Sequence, residues 1–516
     1  MSQIGALERT TQNHVVQFFQ DQLGYDYYGD WQDRENNANI EAEYLSQWLN
    51  KQGVNDSAIS LAIRELKRAA GMGDGKKLYQ ANKDVYSLLR YGVKVRQGQG
   101  EQTQTVWLID WKNPLNNEFA IAEEVSVAGE NNKRPDIVLY VNGIALGVIE
   151  LKRSSVSVTE GIRQNLDNQK KTFIRDFFGT MQLLMAGNDT EGLRYGTIET
   201  PEKHYYAWKE ENPTYNPEVD ELSDKYLSAQ NTDTENDLLG FDIKNLCRKE
   251  RFLEVIHDFI VFDVGVKKLC RHNQYFGVKA SQARIQTDEG GIIWHTQGSG
   301  KSLTMVWLAK WLREHVNNAR VLVVTDRTEL DEQIEGVFQG VDENISRSAS
   351  GAGLIEELNN AEPWLMCSLV HKFGRHGDDE GEQATDEYIQ VLISTLPSDF
   401  KAKGNVFVFV DECHRTQSGK LHEAMKTILP EAVFVGFTGT PLLKKDKQKS
   451  IEVFGSFIHT YRFDEAVADG VVLDLQYEAR DIDQYLTSED KVDTWFEAKT
   501  RGLSDMAKVQ LKQKWG

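Results

Sequence analysis

Cysteine is scarce: Cys247, Cys270, Cys367 and Cys413 are the only four in 516 residues. They are widely scattered and no pair has zinc-ligand spacing, so neither a disulfide framework nor a structural zinc site is expected. That usage suits a reducing cytoplasm. No apolar run reaches the ~18 residues of a membrane-spanning helix. The opening residues, MSQIGALERTTQ, have neither the basic end nor the apolar stretch of a signal peptide. Positive charge is also in deficit, with 59 Lys and Arg against 79 Asp and Glu, a net charge of −20. Taken as a total, this argues against a nucleic-acid binder. Phosphate binding follows local fields, however, and basic clusters stand at Lys133-Arg134, Lys152-Arg153, Lys170-Lys171 and in "KKDKQK" at 444–449. Each by itself reads as a solvated face, so charge does not settle the partner. Repeats and low-complexity tracts are absent as well.

What is present is an ordinary globular composition, 40% apolar and 27% charged, on a chain too long for one core. Residues 1–240 mix helical patterns with short strands and end in a polar, acidic run at about 210–240 that reads as a long loop or linker. From about 241 to 460, short apolar strands alternate with amphipathic helices: "RVLVVTD" (320–326), "WLMCSLV" (364–370), "NVFVFVDE" (405–412) and "AVFVGFTGT" (432–440). That alternation predicts a parallel sheet covered on both faces. Something new begins near 461 and stops at 516.

"HTQGSGKS" at 295–302 follows a strand and opens a helix, the setting a phosphate loop needs. Gly298 and Gly300 let the backbone of Thr296, Gln297 and Ser299 curl inward, and the helix N-terminus adds partial positive charge. Lys301 would reach the β- and γ-phosphates and Ser302 would hold Mg²⁺. The strict pattern begins with Gly where this chain has His295. In "VFVFVDECHR" a strand ends in two acids: Asp411 would bind Mg²⁺ and Glu412 would polarise the attacking water. "GFTGTP" (436–441) places the hydroxyls of Thr438 and Thr440 at a strand end, suited to sensing a phosphate. GSGKS, DECH and TGT in this order resemble the first motor lobe of superfamily-two helicases and translocases. The resemblance implies an ATP-binding RecA-like lobe. It also implies a nucleic-acid-touching segment in "VVTDRTELDEQ" (323–333) and an adenine-reading glutamine at Gln274, with Gln282 as a rival.

The apolar stretch "RPDIVLYVNGIALGVIELKR" (134–153) carries Asp136, Glu150 and Lys152. Buried charges are costly unless paired or bound to a metal. Asn142-Gly143 signals a hairpin turn. With a plain two-residue turn, Asp136 opposes residue 149 and faces away from Glu150; a three-residue loop or one bulge brings the two acids opposite each other, with Lys152 on the same face. Convergence therefore predicts an irregular hairpin. Opposed carboxylates repel unless a cation lies between them, and Mg²⁺ is the natural one. Pro-Asp…Glu-x-Lys resembles the PD-(D/E)xK nuclease core. With the following "EGIRQNLDNQKKTFIRDFF" and "AGNDTEGLRYGTIETPEKHYYAW", it resembles the N-terminal nuclease domain of the restriction (R) subunit of type I restriction–modification enzymes. That family carries a glutamine on the next helix, followed by an aromatic; Gln164 and Gln169 compete for the place, and Gln169 has Phe173 four residues on.

The resemblance implies an α/β chain with a PD-(D/E)xK nuclease-like domain (1–240), a first RecA-like motor lobe (241–460) and an incomplete second lobe (461–516). It implies ATP and Mg²⁺ as cofactors. The implied partners are double-stranded DNA, held by sequence-independent backbone contacts, and separate modification and specificity subunits. Only 56 residues follow 460, a second lobe needs on the order of 150, and no late Gln-x-x-Gly-Arg-x-x-Arg pattern occurs. The chain therefore reads as an N-terminal part of a longer protein, able to hold a nucleotide but a poor ATPase alone. Another nuclease–helicase fusion of DNA repair, or a non-catalytic scaffold for DNA and partners, are the competing readings.

Overall fold

Two seven-stranded sheets organise the chain. The computed structural model describes residues 8–96, 102–217, 219–228, 237–325, 328–341, 343–348, 351–369, 396, 400–413, 425–440, 454–475 and 489–515. The basic cluster at 444–449, residues 326–327 of the predicted nucleic-acid-touching segment and the stretch 229–236 of the predicted linker lie outside them.

The first sheet is mixed. Its strands are β1 (Asp26–Asp30), β2 (Phe119–Glu123), β3 (Ile137–Val141), β4 (Ile144–Leu151), β5 (Leu183–Asn188), β6 (Gly192–Gly196) and β7 (Tyr206–Ala207), laid side by side in that order. The pairs β1–β2 and β4–β5 are parallel and the rest antiparallel. Every residue of β2, β3, β4 and β5 is buried. Covering both faces in this way is why these strands read as continuous apolar runs rather than as alternation. Helix α1 (Glu8–Asp21) packs near β1, β2 and β4, and helix α2 (Val158–Asn168) carries the chain from β4 to its parallel neighbour β5, packing on both.

The second sheet is wholly parallel, as the sequence pattern predicts. Its strands are β8 (Gly291–His295), β9 (Ala319–Thr325), β10 (Ser346–Arg347), β11 (Leu365–Leu369), β12 (Asn405–Val410), β13 (Val433–Thr438) and β14 (Phe457–Tyr461), in the order β10-β11-β9-β12-β13-β8-β14. Helices α3 (His272–Ile285) and α4 (Lys301–His315) pack against each other beside β8 and β14. This is a RecA-like lobe. Because β13 lies between β8 and β12, the loops leaving the carboxyl ends of these three strands adjoin, and they carry 296–302, 411–413 and 439–440.

Both sheets belong to one compact unit, Met1–Val472. Buried polar contacts join them: Arg251 forks onto Glu210 at 3.0 and 3.1 Å, and the Lys267 amine donates to Asn82 Oδ1 at 2.8 Å and Gln182 Oε1 at 2.7 Å. The run read as a loose linker is in part pinned. Lys225 is fully buried, donates to Glu465 at 2.8 Å, and lies 3.6 Å from Glu211, which in turn meets His459 at 2.9 Å. The same contacts explain why this unit runs past 460. Tyr461 closes the sheet's edge next to β8, and Glu465 and Asp469 are tied back to Lys225 and Lys209. The second unit, Leu473–Gly516, contains helices Glu489–Lys499 and Asp505–Trp515.

Candidate active sites

The hairpin of β3 and β4 turns through Asn142 (φ 51°) and Gly143 (φ 79°), a pair of left-handed residues that fits a two-residue turn. Asn142 accepts from the Glu118 N–H at 2.8 Å and donates to the Leu108 carbonyl at 3.0 Å, which fixes its conformation. A Cβ on Gly143 would lie 2.9 Å from the Glu41 carbonyl oxygen, so only glycine fits. The turn is regular, but the ladder is not. Tyr140 pairs with Ala145 while Leu139 pairs with Gly147, leaving Leu146 as the extra residue of a bulge. Beyond the bulge Ile137 pairs with Ile149, so Asp136 falls opposite Glu150, the irregular register that convergence requires.

The Leu151 N–H donates to Asp136 Oδ2 at 2.6 Å, and the Lys152 amine stands 4.0 Å from the same oxygen while donating to the Leu151 carbonyl at 2.7 Å. Glu150 is fully buried. Gln164 Nε2 donates to its Oε2 at 2.6 Å and Asn168 Nδ2 to its Oε1 at 3.1 Å. This resolves the competition between the glutamines. Gln164 reaches the acid; Gln169, just past the helix end, donates to the Asn165 carbonyl at 2.9 Å and accepts from the Glu199 N–H at 2.7 Å. Of the two candidates, Gln164 stands at Glu150 and Gln169 does not: a helix places residues 164 and 168 on one face, and 169 turns away.

Three residues went unnoticed in the sequence. Asn168 is one. Glu123 is another: it ends β2 next to Asp136, accepts from Tyr27 OH at 2.5 Å and from Gln12 Nε2 at 2.9 Å, and pairs with Arg9 at 3.1 Å. A strand running into two acids, Glu123 and Glu124, was the available signal. Gly161 is the third, since a Cβ there would stand 3.0 Å from Ala186 Cβ and 3.3 Å from the Glu150 carbonyl oxygen. Its absence lets α2 approach β4 and β5. A cleft of about 970 Å³ opens over the site, lined by Arg9, Arg34, Lys133, Arg134, Asp136 and Lys152 among others. The lining carries five cations beside the acids Glu35, Glu124 and Asp136, although the whole chain is acidic.

In the second sheet, Gly298 (φ 83°) and Gly300 (φ 90°) adopt left-handed conformations between β8 and α4. Lys301 Nζ lies 3.6 Å from Glu412 Oε1. The Gly439 N–H donates to Glu412 Oε2 at 3.4 Å, and a Cβ on Gly439 would come within 2.7 Å of Lys301 Nζ and 3.2 Å of the Gln297 nitrogen. The three motifs therefore meet. Asp411 is buried beside them, with its N–H on the Val324 carbonyl at 2.9 Å. Thr438 is buried, while Thr440 is exposed and its N–H donates to Thr438 Oγ1 at 3.3 Å. The Ser299 hydroxyl folds onto the Thr296 carbonyl at 2.5 Å, and Ser302 is half-buried in the first turn of α4. Of the two glutamines in α3, Gln274 reaches this loop: Nε2 donates to the Gly300 carbonyl at 3.1 Å and Oε1 accepts from the Arg271 N–H at 2.9 Å. His295 is turned into the core, 2.8 Å from His459, and burial pushes its pKa well down.

Residues 5–203 match the family model for the type I restriction enzyme R protein N terminus, and residues 273–509 match that of the SWI2/SNF2 ATPase. The first span contains the hairpin site and the second the phosphate loop. Residues 5–203 belong to the family of type I restriction R-protein N termini. The chain is 30% identical, over 465 residues, to a Methanocaldococcus jannaschii protein described provisionally as the type I restriction enzyme MjaIXP endonuclease subunit. The match covers 86% of this chain and 42% of that protein. It is 29% identical to the type I restriction enzyme HindI endonuclease subunit of Haemophilus influenzae, over 85% of this chain and 42% of that one. The chain thus spans less than half the length of these curated relatives. Among solved structures, a nuclease-deletion mutant of the Type ISP restriction-modification enzyme LlaGI with a DNA substrate mimic aligns at 13% identity and a TM-score of 0.30. That alignment covers 48% of this chain and 24% of the other.

Proposed function

We propose that this chain supplies both the motor and the nuclease of a type I restriction enzyme. It couples ATP-driven translocation along double-stranded DNA to Mg²⁺-dependent double-strand cleavage, in the cytoplasm, alongside separate modification and specificity subunits. The bulge at Leu146 carries this reading, because it puts Asp136 opposite Glu150 in the compact unit that also holds the phosphate loop.

The donor set at the hairpin is all oxygen, the carboxylates of Asp136 and Glu150 with a buried amide oxygen nearby, Asn168 Oδ1, that has no hydrogen-bond partner among the described residues. Such hard donors fit Mg²⁺, with Asp136 and Glu150 as its protein ligands. When bound there, the ion activates a water and offsets charge on the phosphate undergoing attack. Lys152 is within reach of Asp136 and can orient that water or meet the phosphate oxygens. Arg9, Arg34, Lys133 and Arg134 line the approach and contact backbone phosphates, so binding is sequence-independent and weakens steeply with salt.

At the second site, Lys301 exchanges Glu412 for the β- and γ-phosphates of ATP. The freed Glu412 carboxylate polarises the attacking water, and Ser302 and Asp411 form the donor set that fits a nucleotide-bound Mg²⁺. Gly439 lies against Lys301 and, with Thr438 next to it in the chain, registers the phosphate's departure. Gln274, already on the Gly300 carbonyl, meets the base.

The test is cleavage of plasmid DNA by the chain assembled with cognate modification and specificity subunits, ATP and Mg²⁺. Asp136→Ala should abolish cutting and spare ATP hydrolysis; Lys301→Ala should abolish both. Undiminished cutting by the first variant refutes the nuclease assignment. Cutting at distant sites by the second refutes motor-driven cleavage. A scaffold, or a repair enzyme with other partners, would give no cleavage in this assembly even with the unaltered chain.

A further inference from the structure

We propose that Lys267 is a positioning residue of the nuclease hairpin: through Gln182 it holds the segment that selects Leu146 as the bulge residue, and so the register that sets Asp136 opposite Glu150. This rests on the reading of Asp136 and Glu150 as the metal-binding acids.

Lys267 lies on an antiparallel hairpin, Ile260–Asp263 with Val266–Leu269, between the spans that match the two family models. Lys225 and Lys267 are the two buried lysines among the described residues. Lys225 has the acids Glu465 and Glu211 beside it. The Lys267 amine instead donates to three neutral oxygens: Asn82 Oδ1 at 2.8 Å, Gln182 Oε1 at 2.7 Å and the Met181 carbonyl at 3.3 Å. Burial pushes its pKa well below the ordinary lysine range. A buried amine held by neutral groups recovers little of its desolvation cost. What it supplies is geometry, because donors on one nitrogen fix their acceptors relative to each other.

Those acceptors belong to residues 180–182 or hold them. Asn82 Nδ2 donates to the Met181 carbonyl at 2.7 Å, and Gln182 Nε2 to the Thr180 carbonyl at 2.7 Å. The same three residues meet β4 at its bulge. The Gln182 N–H is on the Leu146 carbonyl at 2.7 Å and the Thr180 hydroxyl is on the Ala145 carbonyl at 2.7 Å. Neighbouring carbonyls of a regular strand point to opposite edges. Here two in succession take donors from one segment, an arrangement that a bulge permits. Displacing residues 180–182 gives up one of these bonds, and with it the preference for Leu146. A register slip of one residue would turn Glu150 to the other face.

The stretch that carries Lys267 also reaches the phosphate loop. Arg271, four residues on, donates to the Ser299 carbonyl at 3.4 Å, and Gln274 to the Gly300 carbonyl at 3.1 Å. One short segment therefore touches the nucleotide loop at one end and the support of the nuclease bulge at the other.

Calorimetric titration of the full chain with Mn²⁺, without nucleotide, tests this; the binding that counts is the part that Asp136→Ala removes. Lys267→Met keeps the stem and removes the donors. It should weaken that binding about tenfold, the usual effect of disturbing a metal ligand's support. Gln182→Leu should do the same. The double variant should bind no more weakly than either single one, because both act through one contact. A role in stability alone would lower the melting temperature in EDTA and leave Mn²⁺ affinity unchanged well below it. Gln182→Leu carries the test if Lys267→Met does not fold. Mn²⁺ affinity within about twofold of the unaltered chain in the variant that carries the test, or losses that add in the double variant, overturns the role of Lys267 and leaves the site reading intact. Unchanged Mn²⁺ binding by Asp136→Ala overturns both.

Discussion

Gly300→Ala is a one-methyl change whose cost can be worked out at the phosphate loop. Gly300 sits at φ 90°, where an L-residue is strained by about 1–2 kcal/mol. The added Cβ would also stand 2.3 Å from Gln274 Nε2, far inside contact distance. The amide must leave, and with it go the 3.1 Å bond to the Gly300 carbonyl and the 2.9 Å bond from the Arg271 N–H. At about 1 kcal/mol for each hydrogen bond, the sum is about 3–4 kcal/mol. The lobe either loses that much stability or lets the loop move. Any movement appears as lost nucleotide affinity, and 1.4 kcal/mol per factor of ten puts the loss at roughly a hundredfold or more. Urea unfolding and titration with a fluorescent ATP analogue read the two outcomes. A double-mutant cycle with Gln274→Ala separates the causes. The glutamine change already forfeits both hydrogen bonds, so adding Gly300→Ala should cost only the strain, a coupling of about 2 kcal/mol. If Gly300→Ala leaves both stability and nucleotide affinity within threefold of the unaltered chain, the positive-φ argument for this loop is wrong.

Gln164→Leu should weaken Mn²⁺ binding at the hairpin, whereas Gln169→Leu should leave it unchanged and lower stability by about 1 kcal/mol for each of its two lost hydrogen bonds, as calorimetry and urea unfolding would show. Glu412→Gln should retain ATP-analogue binding while hydrolysis by the assembled enzyme falls at least about a hundredfold, the usual contribution of a positioned base. Unaltered turnover would remove Glu412 from the mechanism. Asp242, buried against the Leu193 N–H at 2.9 Å, has its pKa pushed up to about 7 from 3.8, chiefly by burial. The native state therefore keeps a proton that the unfolded chain gives up near pH 4. Its contribution is full below that point and declines as pH rises through 7, by about 2–4 kcal/mol. Melting curves from pH 5 to 8 should fall for the unaltered chain and flatten in Asp242→Asn.

How far the amino-acid pattern reaches depends on the range of the interaction. The motor lobe was readable because its signals are local: continuous apolar strands, a glycine loop before a helix, and paired acids at a strand end. The parallel sheet then brings those ends together. The hairpin was readable to one residue. Asn142-Gly143 announces the turn, and the need to bring Asp136 opposite Glu150 demands one irregularity, but no local feature of "GIALGVIE" marks Leu146 as the extra residue. That choice is made by neighbours distant in the chain: the Gln182 N–H on the Leu146 carbonyl at 2.7 Å, and Ala145 bonded through its N–H to Asn39 and through its carbonyl to the Thr180 hydroxyl. The glutamine question was undecidable for a different reason. Residue 164 lies on the helix and 169 just past its end, and which face meets Glu150 follows from Gly161, whose missing Cβ matters only once β5 lies beneath it.

The polar run after 210 was the most misleading stretch, because composition alone says solvent. Lys225 is instead among the most buried residues, satisfied by the Thr460 carbonyl and Glu465, 235 and 240 residues away. Glu211 reaches His459 across 248 residues. Burying such charges is affordable only when partners are prearranged, and the partners here lie on β14 and the helix after it. No window along the chain contains both halves of such a pair. A charged residue can therefore look solvated in sequence and be a core residue in the fold. The consequence is specific: Lys225→Met, which keeps the stem and removes the charge, strands Glu465 and Glu211 together without a cation. It should destabilise the unit far more than Lys225→Met and Glu465→Leu combined, since the double change removes an acid along with its partner. A single substitution as mild as the double one would mean that these buried groups are not coupled.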